Sequence, residues 1–341
     1  MTRLRIFGVT LILATLIVYG NCLPSPSTSG GGINITVSGF SIMQEVFEKS
    51  IFPSFAAKWK QQHGQELHFT SSFAGSETIT NQIMQGLGVD VAILSIERDV
   101  ERLAGSGFVT ANWRLLPHQS IINRSPFIIL VRKGNPKGIH DFPDLAKPGV
   151  NLIHPDPVNS GGAQWSILAI YGSELKKSEK QTGEYDQLRA LRTLAAIWER
   201  VMSTPASARE ARTQFETGYG DALITYELEG LLMKEAGAPF EIVAPLSTIF
   251  SEHPAVIIDR NVTSEERPVV EAFLQYLWSE EAQRAFVKHN FRSVTDESLD
   301  QDNKEFTRIE LPFTVELFGG WGRAYPEIIE SVWRDDVQKN K

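Results

Sequence analysis

Short apolar runs alternate with stretches of helical periodicity along this chain. Residues 33–38 read as a strand, 43–62 as an amphipathic helix interrupted at Pro53, and 66–71 as a second strand. Residues 78–85 read as a helix with Ile79, Ile83 and Met84 on one face. Gly86 and Gly88 end it, and 89–94 follows as a near-continuous apolar strand. Further strands are expected at 127–132, 150–154 and 222–225, with helices starting at Ala163 and Ala208. Residues 266–289 and 326–338 are helical by period, and an Asp/Glu-rich loop separates them. Strand–helix alternation of this kind predicts an α/β fold with mostly parallel sheets covered by helices on both faces.

A chain of 341 residues exceeds one ordinary domain. The expected division is a first lobe at 33–124 and 247–335 and a second at 125–246. Hydrophobic content of 42% is enough for two cores and excludes a disordered chain. The net charge of −8 offers no basic field, so nucleic acid is not an expected partner. One cysteine excludes a disulfide framework and a Cys-based structural zinc site.

That cysteine closes a distinctive N-terminus. Arg3 and Arg5 precede an apolar run of 14 residues from Ile6 to Tyr19, short of the roughly 20 that span a bilayer. Residues 1–22 therefore read as a secretory leader and 23–32, rich in Pro, Ser and Gly, as a flexible tether. Cys22 fits a lipid-attachment site, although Gly20 and Cys22 equally fit an ordinary cleavage site. An uncleaved anchor is the third reading. The expected location is outside the cytoplasm, in the periplasm or lipid-anchored to the outer side of the cell membrane.

Three places share one physical design. In Phe73-Ala74-Gly75-Ser76 a strand ends in a small-residue turn and a helix begins near Ser76. In Asn159-Ser160-Gly161-Gly162-Ala163 a Ser-Gly-Gly turn precedes a helix. In Ser207-Ala208-Arg209-Glu210 a serine N-cap with glutamate three residues on makes a capping box, which leaves the Ala208 N–H available. First helical turns have unsatisfied N–H groups and a partial positive charge, and small residues let an anion approach that backbone. A capping serine alone is ordinary, whereas two consecutive glycines need a reason.

Catalytic alternatives find less support. The seven histidines show no metal-ligand spacing, and there is no Gly-x-Ser-x-Gly elbow. The phosphate loop and the Gly-x-Gly-x-x-Gly fingerprint are both absent. Ser173-Glu-Leu-Lys176 matches Ser-x-x-Lys but lies in a charged stretch that reads as a solvated helix face. Neither an enzyme nor a cofactor is expected.

At these turns the chain resembles the periplasmic sulfate-binding proteins of ABC importers, the sulfate/thiosulfate group of solute-binding proteins. The stretch Val131-Arg-Lys-Gly-Asn-Pro-Lys-Gly-Ile-His-Asp141 carries the resemblance. So do Asn159-Ser-Gly-Gly-Ala-Gln-Trp165, Gly218-Tyr-Gly-Asp-Ala-Leu-Ile224 and Phe318-Gly-Gly-Trp321. It implies a two-lobed type II periplasmic binding fold, with a dehydrated sulfate held in the cleft and delivered as cargo of a monomer to a membrane ABC permease. The family's ligand positions fall on Ser76, on Ser160, Gly161 and Gly162, on the backbone of Ala208, and on Tyr226. Tyr226 stands where the family has tryptophan, and a phenol accepts as well as donates. Glu77 stands where the family has a small residue. Facing the pocket it would suit a protonated oxyanion such as hydrogen phosphate; facing outward it sits favourably in a helix's first turn, which is the favoured reading. Arg209 is expected to brace its turn from behind. Sulfate, thiosulfate, phosphate, molybdate and tungstate all stay open as the anion, and a sensor or a secreted enzyme on the same fold stays open as the alternative.

Overall fold

The computed structural model describes residues 32–340. The leader at 1–22, Cys22 and the tether up to residue 31 lie outside the described residues. The first half of the fold starts with β1 (Ile33–Phe40), whose β-branched residues favour an extended chain and whose Ile35 and Val37 are fully buried. A turn at Ser41, the short α1 (Gln44–Val46) and α2 (Phe52–His63) carry the chain to β2 (Leu67–Ala74). α3 (Ser76–Met84) then crosses to β3 (Val91–Ile93), and α4 (Glu97–Gly105) follows. β1 runs parallel to both β2 and β3.

The second half contains β5 (Leu152–Ile153), α5 (Gly161–Thr182), α6 (Gln187–Trp198), β6 (Val201–Ser203) and α7 (Ala208–Glu216). β7 (Ala222–Tyr226), α8 (Glu227–Glu235) and β8 (Phe240–Val243) complete it. β5 lies parallel between β6 and β7. Two long strands, β4 (Ile121–Arg132) and β9 (Ser247–Ile257), join the halves. They run antiparallel to each other between the Ile121↔Pro254 and Pro126↔Phe250 pairs. Beyond that stretch they part. β4 goes on to pair with β7 from Phe127 to Val131, and β9 pairs with β3 from Ala255 to Ile257. The strand order is β2-β1-β3-β9-β4-β7-β5-β6, with parallel cores on either side of an antiparallel crossing. α9 (Arg267–Tyr276), α10 (Glu280–Lys288), β10 (Leu311–Phe313), α11 (Trp321–Ala324) and a final helical stretch close the chain.

Several boundaries differ from the periodicity reading. The interruption at Pro53 is a change of winding: a π-wound turn, Phe47–Ile51, precedes α2, where proline at the second position forfeits little. Residues 266–289 split into two helices at Ser279, whose hydroxyl accepts from Ala282 N at 3.3 Å. The charged stretch of α5 is not a solvated face. Ser173, Glu174, Lys177 and Ser178 are buried, and Lys177 reaches Glu174 at 2.8 Å and Asp141 at 2.6 Å, while Arg189 meets Glu174 at 2.7 Å. A helix covered almost all round needs such internal partners for its polar positions. Gly172 gives α5 its closest neighbour, since a Cβ there would lie 2.5 Å from the Phe313 ring. Trp165 on α5 meets Trp321 edge to face at 4.6 Å, which places the Phe318-Gly-Gly-Trp321 motif against the same helix.

At the crossing a buried histidine is paired with an asparagine amide. His253 of β9 is fully buried and its Nδ1 lies 2.6 Å from Asn123 Oδ1 on β4, so the ring donates there. Burial pushes its pKa down to about 3. An unfolded histidine titrates near 6.5, so below that value the unfolded chain binds a proton that the folded chain refuses. The contribution of this site is present above about pH 6.5 and is lost as pH falls. Urea unfolding should show about 2 kcal/mol more loss between pH 7 and pH 5 in the wild type than in His253→Gln.

Candidate functional site

The three turns of the sequence meet in one place. β2 ends at Ala74, Gly75 caps α3, and Ser76 opens the helix. Ser160 caps α5, its Oγ accepting from Ala163 N at 3.4 Å. Ser207 caps α7, accepting from Glu210 N at 3.2 Å, while the Glu210 carboxylate accepts from Ala206 N at 3.1 Å. A Cβ placed on Gly75 would lie 2.3 Å from the Asn159 carbonyl oxygen and 2.9 Å from that of Ala206. The residues just before Ser76, Ser160 and Ser207 are therefore packed backbone against backbone, and only glycine fits at Gly75. The other two glycines have the same reason. A Cβ on Gly161 would lie 2.8 Å from Ser95 Cβ, and one on Gly162 2.8 Å from the Tyr226 hydroxyl.

The backbone N–H groups of Ser76, Gly161, Gly162 and Ala208 make no hydrogen bond to an acceptor among the described residues. That is what first helical turns leave over. Three positive helix ends and four amide hydrogens thus gather where strands from both halves end, a constellation suited to a small anion.

Ser95, which periodicity does not single out, sits in the middle of the side-chain network. Its Oγ lies 2.9 Å from the Tyr226 hydroxyl, its N–H donates to Ser76 Oγ at 2.9 Å, and its carbonyl accepts from Trp165 Nε1 at 2.7 Å. Burial pushes the Tyr226 phenol well above its ordinary value, so it stays protonated and keeps a hydrogen to donate. The Ser76 hydroxyl is less free than a capping serine suggests: Oγ lies 2.6 Å from Asp99 Oδ2.

Charged groups close around this place. Glu77 is buried at 6% exposure, and its carboxylate accepts from Arg98 at 2.9 Å, from Arg102, and from Gln164 Nε2 of α5 at 3.2 Å. An approaching anion would meet a compensated carboxylate, not a bare one. Arg209 lies across the two halves. It contacts Glu45 of α1 at 2.5 and 2.8 Å and Glu229 of α8 at 3.0 Å, and Arg212 supports Glu229 at 3.0 Å. Burial alone would lower its pKa, but Glu229 and Glu45 hold the guanidinium above its ordinary value.

The model of the bacterial extracellular solute-binding protein family matches residues 49–292. The chain is 34% identical to the sulfate-binding protein of Synechococcus elongatus, over 97% of this chain and 95% of that one. It is 35% identical to the sulfate-binding protein of Escherichia coli, over 94% of each. Among solved structures, the sulfate-binding protein SubI from Mycobacterium tuberculosis superposes with a TM-score of 0.77 at 29% identity, covering 86% of this chain and 99% of that one.

Proposed function

This chain belongs to the sulfate/thiosulfate group of the bacterial extracellular solute-binding proteins, and we propose that it captures a sulfate dianion where its three helix starts meet. Delivery to a membrane ABC permease, export by the N-terminal leader and action as a monomer belong to the same reading. The observation that supports it best is the contact of Gly75 with Asn159 and Ala206, because it gathers three sets of unpaired amide hydrogens.

The energetics favour such a design. Removing an ion from water costs several kcal/mol even after relaxation. Each hydrogen bond to a charged group returns about 1.5–3 kcal/mol. The N–H groups of Ser76, Gly161, Gly162 and Ala208, with the hydroxyls of Ser160 and Tyr226, supply enough donors to offset that loss without a contacting cation. A pocket of donors also selects. Sulfate accepts at every oxygen, whereas the O–H of hydrogen phosphate would face another donor, a mismatch of about 1–3 kcal/mol.

Calorimetry on the purified protein should show sulfate binding at about micromolar level or tighter, near −8 kcal/mol. No heat with sulfate but strong heat with phosphate would overturn the assignment. Ser160→Ala should weaken sulfate binding by about 1–3 kcal/mol, and the lost N-cap should cost the ligand-free protein about 1 kcal/mol of stability. An unaltered affinity would reduce Ser160 to a helix cap.

A further inference from the structure

One buried carboxyl touches the proposed site without belonging to its donor set. Asp99 is fully buried in the first turn of α4, and its Oδ2 lies 2.6 Å from Ser76 Oγ. Its other oxygen, Oδ1, is buried with no hydrogen-bond donor among the described residues. The nearest cation, Arg102 Nη1, is 3.6 Å from it.

Two carboxylates compete for two arginines here. Arg98 and Arg102 both close on Glu77 of α3, which also takes Gln164 of α5. From the C-terminal helix, the Tyr325 ring stacks on the Arg98 guanidinium at 3.4 Å, and Glu330 and Arg334 line the same cavity. Glu77 wins the cations. Burial first, and the Glu77 charge second, push the Asp99 pKa up to about 8, against the weaker pull of Ser76, Arg102 and Arg98.

Counting hydrogens shows what that protonation does. A serine hydroxyl has one hydrogen to give and two lone pairs to receive. Ser76 Oγ already receives from Ser95 N. When Asp99 is a carboxylate, the one hydroxyl hydrogen of Ser76 points to it, and none is left for an anion. When Asp99 carries a proton, the bond reverses: Asp99 donates to Ser76, and the serine hydrogen is released. We propose that Asp99 is a positioning residue that holds a proton while the anion is bound, so that Ser76 donates to the ligand and dianion capture is coupled to uptake of that proton. This rests on the reading of the three turns as the anion site.

The test is calorimetry with sulfate between pH 6.5 and 9.5, in pairs of buffers with different ionisation heats. Affinity should hold steady at low pH and fall toward tenfold per pH unit above about pH 8, with about one proton taken up per sulfate there. Asp99→Asn donates permanently through its amide. It should match the wild-type affinity at pH 6.5, show a flat profile, and bind about thirtyfold more tightly than the wild type at pH 9.5. It should also melt higher than the wild type at alkaline pH, because no carboxylate charge has to be buried. Sulfate binding with neither pH dependence nor proton uptake would overturn this inference alone, and the wild-type buffer pairs decide this even if Asp99→Asn fails to fold. An Asp99→Asn protein that folds but loses affinity at pH 6.5 would overturn it as well. No sulfate heat at pH 6.5 would overturn the anion site with it.

Discussion

Replacing Gly75 by alanine should weaken sulfate binding at least about a hundredfold, near 3 kcal/mol, while the ligand-free protein melts close to its original temperature. The methyl group would enter at 2.3 Å from the Asn159 carbonyl oxygen and 2.9 Å from that of Ala206. Both are backbone atoms of turns capped by Ser160 and Ser207, so neither can rotate aside as a side chain would. Only the arrangement that brings the three helix starts together is penalised. With the halves apart, the added methyl meets nothing from the second half and even reduces the freedom of the unfolded chain. Gly105→Ala serves as the control, since a Cβ there has nothing within 4 Å. Titration calorimetry and thermal melting of both variants decide the matter. An unchanged dissociation constant for Gly75→Ala would mean that the gathered turns are not the anion site.

Arg209→Met should cost about 3 kcal/mol of stability, which urea unfolding would read directly. Glu229 has no exposed surface, and Arg209 reaches it at 3.0 Å while also gripping Glu45 with both terminal nitrogens. Methionine keeps the unbranched apolar stem of the side chain, so the loss reports chiefly the guanidinium charge and its hydrogen bonds. Arg212 stays on Glu229 and keeps the damage below full exposure of a buried carboxylate. Glu45 comes from the first half and Arg209 from the second, so sulfate affinity should fall too. Arg209→Lys should recover only part of both losses, because an ammonium cannot make the paired contact with Glu45. A variant with wild-type stability and affinity would make this bridge a surface ornament.

The sequence made the three turns legible because their signals are local: a capping serine, consecutive glycines and a capping box are readable within four residues. The same holds for β1, β2, α7 and β7, whose apolar periods are plain. What brings the turns together is not local. Ser95 earns its place only because Gly161 and Tyr226 pack against it, and no neighbouring residue announces that. Asp99 reads as an ordinary acidic residue in a helix's first turn until Ser76 is seen beside it. Glu77 likewise fits the first turn of α3, yet it is buried under Arg98, Arg102 and Gln164. The charged face of α5 misleads for the same reason: Asp141 and Arg189, distant in sequence, supply the partners that let Lys177 and Glu174 go inside. β9 is missing from the periodicity because it serves both halves and is buried along much of its length.

The crossing of β4 and β9 has a mechanical side. Where the two strands run together, the ladder ends in a proline on either side, Pro254 opposite Ile121 and Pro126 opposite Phe250. Pro254 turns its carbonyl to Leu94 N on the β3 side, and Arg124, two residues before Pro126, exchanges its backbone hydrogen bonds with Arg292 and not with β9, so both prolines face away from the shared ladder and leave its rungs intact. Each strand changes partner at the points where the two diverge, β4 turning to β7 and β9 to β3. A bend there sacrifices little pairing, whereas sliding one strand along the other would break the register of every rung between. Swinging the halves about that line, like a book on its spine, would therefore cost fewer rungs than shearing them.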